Sequence, residues 1–284
     1  EIGVMVTHID KKGFLRFTSI GGVYPHTLIG GRVGFADGTV GVIHIDEDFE
    51  GWRDKPLKLS KMYIDVGANS EEQVRQMGVR PGDPVIPVSE FTVMADPKWY
   101  LSKAFDNRVG CALAIEALRR SAADGHPNAL YAVGTVQEEV GLRGAKTSAH
   151  IISPDVALIL EVDIAGDVPG IKPEESAVRM GGGPTMLVYD ARMIPNLKLR
   201  DMVIATAEEL DIPLQFSAMS GGATDGGMIH IHNEGVPAVV IGVPTRHIHS
   251  HNALLHRDDY DNALDLIVAV VKKLDSETVA RLTA

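Results

Sequence analysis

The 284-residue chain has a single cysteine, Cys111, so no intramolecular disulfide can form. Cys111 falls in the apolar stretch of a predicted helix, which predicts a buried, inert thiol rather than a nucleophile. Aromatic residues make up only 5% of the chain, with Trp52 and Trp99 as the two tryptophans. That leaves little material for exposed platforms on which sugars stack. Basic residues are outnumbered 27 to 38 by acidic ones, and the net charge of −11 argues against nucleic acid or an anionic membrane as the main partner. No run reaches the roughly 20 apolar residues that a membrane helix needs, and no signal-peptide pattern is present. A reducing cytoplasm is the expected compartment. An initiator methionine is missing as well: Glu1 leads straight into the strand-like Ile2–Val6, so further residues are expected to precede it.

What is present reads as a soluble globular protein, 45% hydrophobic and 23% charged, long enough for one large or two ordinary domains. From about residue 12 to 95, glycines punctuate short apolar runs, and Asp37-Gly38 marks a tight hairpin. Glu71–Met77 predicts one short helix, stopped by Gly78. This part reads as a small barrel or sandwich. From about 96 onward, helices alternate with buried strands. Helices are predicted over Asp106–Arg120, Asn196–Leu210 and Tyr260–Leu274, and strands over 130–136, 156–162 and 238–243. That alternation implies a largely parallel sheet between helices. Ile2–Val6 is assigned to the same sheet. The expected division is therefore a catalytic α/β domain of residues 1–12 and 96–284, with a β-rich insertion at 13–95.

Four acidic residues and one histidine fall just after predicted strands or at a helix start. Asp106 opens a helix, where it is either an N-cap or a rigidly held bridging carboxylate. Glu138-Glu139 follow the 130–136 run in TVQEEVGLRGA and cannot both point the same way. One can hold a cation while the other handles a proton, its pKa raised by burial and like charge. Asp163 and Glu161 share a strand face, with Asp163 preferred as a ligand because it lies nearer the strand's exit. His247, His249 and His251 alternate beyond the 238–243 strand, and chemistry alone leaves open which of them binds metal. The glycine-rich loop 220–227 lacks a phosphate loop's ending and reads as a substrate-facing wall.

These residues bring a family into view. AFDNRVG, VQEEVGLRGA, the Asp163 segment with IAGDVPG, MIPN, GGATDGG and Arg-His-Ile-His-Ser occur in order along the chain. In them the chain resembles the M42 aminopeptidases, two-metal exopeptidases that include the tetrahedral TET assemblies. The resemblance implies Asp106 as bridging ligand, Glu139 and His249 as ligands of one metal, and Asp163 as a ligand of the other. It makes Glu138 the general base that takes a proton from the attacking water. It implies two divalent ions, zinc first and cobalt or manganese as substitutes. The implied fold is a zinc-peptidase (phosphopeptidase-like) α/β sandwich with an inserted small β-barrel dimerisation domain. Short peptides as substrates, dimers building a tetrahedral dodecamer and work in the cytoplasm follow from the same likeness. Two departures stand out. His251 occupies a position where the family commonly has proline, and Glu1 matches the end of a His-x-Asp-Glu motif. The second metal would then keep only Asp106 and Asp163, and weak binding there with little activity is expected.

Two other readings compete. An endoglucanase-like glycoside hydrolase would need two carboxylates, such as Glu138 with Asp163, and no metal. A degenerate scaffold subunit would bind peptides without turning them over.

Overall fold

The computed structural model describes residues 1–46 and 56–283, which leaves Trp52 outside the described residues. The chain forms two compact units. One comprises Glu1–Thr92 with the short segments Leu101–Ala104 and His249–Ala253; the other comprises Val93–Tyr100, Phe105–Ile248 and Leu254–Ala284.

The first unit is a closed barrel of β1 (Gly3–Ile9), β2 (Leu15–Ile20), β3 (Arg32–Phe35), β4 (Val40–Ile45), β5 (Met62–Asp65) and β6 (Pro84–Pro87). Its order is β1-β2-β5-β4-β3-β6, with β6 pairing back to β1 through Val4 and Val85. In β4 every second residue points inward, the period that a strand with one buried face must show. Leu15, Ile43, Met62 and Ile64 meet in the core with no exposure. Asp37-Gly38 forms the β3–β4 turn as expected, the Asp37 carboxylate accepting from Thr39 N. Helix α1 (Glu71–Gln76) starts at Ser70, which accepts from Gln73 N while the Gln73 side chain returns to Asn69 N. The strand at Ile2–Val6, expected in the α/β sheet, belongs here instead. Val4 and Val6 point into the barrel core two residues apart, and an irregularity between Val6 and His8 brings Ile9 to the same side, whereas a strand covered on both faces is apolar throughout.

The remaining elements, mostly in the second unit, are β7 (Thr92–Val93), β8 (Trp99–Ser102), α2 (Phe105–Asp124), α3 (Arg143–Ile152), β9 (Ala157–Ile164), β10 (Thr185–Asp190), α4 (Leu197–Glu209), β11 (Gln215–Met219), α5 (Gly226–Ile229), β12 (Ala238–Arg246), β13 (Ala253–His256), α6 (Arg257–Lys273) and α7 (Ser276–Thr283). The sheet runs β11-β10-β12-β13-β8-β7, with β9 also on β12. Strand β12 is buried from Ala238 to Thr245, as its unbroken apolar run requires of a central strand. It pairs in parallel with β9 and antiparallel with β10 and β13, so the sheet is mixed rather than largely parallel. Helix α2 packs on β9 and α6 through Val109, Leu113 and Ala117.

Two expectations fail in this unit. Residues 130–136 form no strand ladder among the described residues, and Tyr131 (64%) and Val136 (68%) are exposed. An apolar run shows the wish to be buried but does not supply a pairing strand. Cys111 is exposed rather than buried. It sits two residues from both Val109 and Leu113, about 200° round the helix, and so falls on the opposite face.

Candidate active site

At the head of α2 the backbone departs from helical angles at Asp106 and Asn107. The capping role weighed for Asp106 belongs to its neighbour. Asn107 Oδ1 accepts from Gly110 N at 2.8 Å, and Asn107 Nδ2 donates to Leu160 O of β9 at 2.8 Å. Asn107 thus starts the helix and ties it to the sheet.

Glu138 and Glu139 lie on a tightly wound loop between residue 136 and α3. Gln137 and Leu142 take left-handed backbone angles, with φ of 59° and 57°, which non-glycine residues hold only under constraint. The constraint is a set of hydrogen bonds: Gly141 N and Leu142 N to Glu138 O, and Gly144 N to Val136 O, all at 2.8–2.9 Å. Arg143 Nη1 adds a bond to Gln137 Oε1 at 3.1 Å. Gly144 is required, since a Cβ there would stand 2.5 Å from Val136 O. Just before the loop, Thr135 Oγ1 donates to Asp225 Oδ2 at 2.5 Å and pins it to the start of α5.

Asp106, Glu139 and His249 each offer one ligand atom, and these atoms lie within 4.8 Å of one another. All three residues are half-buried. Two carboxylates and an imidazole form the donor set that zinc and neighbouring first-row metals accept. Asp163 is not part of this group. Its carboxylate accepts from Ser217 Oγ and, at 2.8 Å, from Ile164 N. Burial pushes its pKa up, with the hydrogen bonds from Ser217 and Ile164 pulling it back. Glu138 stays half-buried beside its neighbour.

Glu161 and Asp225 complete the surroundings. Burial pushes the Glu161 pKa well above the carboxylate range, and the negative charges of Asp106, Glu138, Asp225 and Glu139 add to the rise. Asp225 is also raised by burial, against the bond from Thr135, and its Oδ1 has no hydrogen-bond partner among the described residues. Asp106, Glu138, Glu139 and Asp225 all act on buried Glu161 with the same sign, a density of carboxyl groups that a divalent cation would offset. The sequence offered Glu161 as a ligand alternative to Asp163 on the same strand face, the less preferred of the two. Asp225 was hidden in a loop read as glycine-rich, where its only signal was an acidic residue just before a helix start.

The sequence profile described as M42 glutamyl aminopeptidase matches residues 1–266. The TET aminopeptidase of a Thaumarchaeota archaeon from marine sediment is 47% identical and superposes with a TM-score of 0.95, over 99% of this chain and 81% of that one. The lysyl aminopeptidase of Pyrococcus furiosus is 34% identical over 286 residues, 96% of this chain and 79% of the relative. The TET1 peptidase of Pyrococcus horikoshii, which can assemble into a tetrahedron or a large octahedral shell, is 28% identical with a TM-score of 0.81, over 96% and 81%. The glycosidase reading gives way to these matches: the chain belongs to the M42 glutamyl aminopeptidase family and is an aminopeptidase.

Proposed function

We propose that Asp106, Glu139 and His249 hold a divalent metal ion, and that Glu138 is the general base in removal of N-terminal residues from short peptides. The observation that carries this reading is the convergence of those three ligand atoms within 4.8 Å, beside a second glutamate on the same rigid loop. A bound cation would polarise the scissile carbonyl and make water a better nucleophile at neutral pH. Glu138 then takes a proton from the attacking water as its oxygen bonds to the carbonyl carbon. The same carboxyl returns that proton to the amide nitrogen as the C–N bond breaks. The hydrogen bonds around Gln137–Gly144 hold Glu138 and Glu139 to separate duties.

The finer reading has a second ion, with Asp106 bridging and Asp163 as its further ligand. Zinc suits the donors best, and cobalt or manganese can replace it. Dimers formed through the barrel, and from them a tetrahedral dodecamer acting in the cytoplasm, complete the proposal. Its support is the likeness to TET peptidases, and sedimentation velocity on the full chain tests the size.

The division of labour is tested by metal content and turnover of amino-acid p-nitroanilides. Glu138→Gln should keep its metal and lose roughly 10²–10⁴-fold in kcat. Glu139→Ala should lose both metal and activity. Equal metal loss in the two variants would overturn the assignment, and a wild-type chain that binds metal without turnover would favour the scaffold reading.

A further inference from the structure

We propose that His251 is a positioning residue: its ring, seated over Gly31 of the barrel, fixes the conformation in which His249 acts as a ligand. The inference rests on the reading of His249 as a metal ligand. Beyond β12 the chain passes through His247 and His249 with φ of 61° and 58°, both in the left-handed region without glycine. Such residues persist only where their surroundings over-determine them.

His251 supplies much of that determination. It is buried, and its Nε2 lies 3.1 Å from Arg32 O, a contact that requires the Nε2–H form of the ring. A Cβ on Gly31 would stand 2.5 Å from His251 Cε1 and closer still to Nε2, so the ring occupies space that only glycine leaves open. Val4, Leu28, Val33 and Ile43 of the barrel line one small cavity together with His251. The flanking residues add a second hold: Ser250 Oγ donates to Asn252 O at 2.9 Å, and Ser89 Oγ to Asn252 Oδ1 at 2.6 Å. Within this seat the His249 ring rests near Gly22 and 6.2 Å from the Tyr24 ring. Removing the His251 ring would take away its contacts with Arg32 and Gly31 and loosen the segment that carries the two strained residues. The imidazole of His249 would then sample several directions instead of one.

The test uses the full chain loaded with cobalt(II), read by its visible absorption spectrum and by affinity in chelator competition. His251→Ala and Gly31→Ala should each weaken cobalt binding by roughly 10–100-fold, the range typical when the support of a ligand is removed, and should alter the spectrum. His251→Gln, which can place an amide N–H near the Nε2 position, should recover most of the affinity. Gly31→Ala should add nothing in the His251→Ala background, because the ring it would strike is gone. His249→Ala separates the two claims. If it keeps wild-type cobalt affinity, the ligand reading fails. If it loses cobalt while His251→Ala and Gly31→Ala match wild type in affinity and spectrum, the seat is overturned. Additive effects of Gly31→Ala and His251→Ala would also overturn it.

Discussion

Single residues in this molecule divide tasks that the sequence lumps together. At the head of α2, Asn107 caps the helix while Asp106 joins the candidate ligands. Asp259 shows the same economy away from that site. Its carboxylate accepts from Gly181 N and Gly183 N, both at 2.7 Å, and the residue has no exposure. Burial raises its pKa, with those two N–H donors pulling it down. A carboxyl raised in this way binds more protons folded than unfolded, from about pH 3.9 up to its folded pKa. Stability therefore falls as pH rises through that window, by up to about 1.4 kcal/mol per pH unit. Asp259→Asn removes the titration at the cost of a roughly constant loss from the mismatched N–H groups. Urea unfolding between pH 4 and 7 should show wild type losing stability relative to the variant as pH rises. Parallel curves would show that folding leaves this carboxyl unshifted.

At the scale of elements, helices were the most legible because their ends carry local chemistry. Asn196 caps α4 by accepting from Leu199 N at 2.9 Å, and that helix begins where the sequence places it. Asn196→Ala should cost about 1 kcal/mol in urea unfolding, with little change in turnover, since the residue is remote in sequence from every candidate ligand. A change below about 0.3 kcal/mol would mean that water caps the helix equally well. Strands were legible only where their neighbours were. The 238–243 run became β12 because both its edges are paired, while 130–136, equally apolar to the eye, has no ladder. Ile2–Val6 was placed in the wrong sheet for the same reason, as pairing between distant segments leaves no local mark. The site divides likewise. Asp106, Glu139 and His249 sit beside recognisable motifs, and each offers a ligand atom within 4.8 Å of the others. Glu161 and Asp225 matter through burial and mutual charge, which only the fold creates.

For the whole molecule, the candidate ligands come from segments that fold alone cannot hold as neighbours at low cost. Residues 106, 139 and 249 are far apart in sequence, and the carboxylates of Asp106 and Glu139 both raise the pKa of buried Glu161. A metal that binds this arrangement and not the unfolded chain adds its binding free energy to stability. At a free concentration 100-fold above Kd that amounts to about 2.7 kcal/mol. For a chain of this size such a gain corresponds to roughly 5–10 °C in the melting midpoint. Chelation should lower the wild-type midpoint by that amount and leave Glu139→Ala unmoved. Hydrogen exchange under the same treatment should quicken around residues 104–110, 137–144 and 247–252. Amides of Leu15, Ile43 and Ile64 should keep their protection, because the barrel core they build is complete without the ion. A uniform rise in exchange, or an equal shift in the variant, would mean that the cation stabilises the chain from somewhere other than this triad.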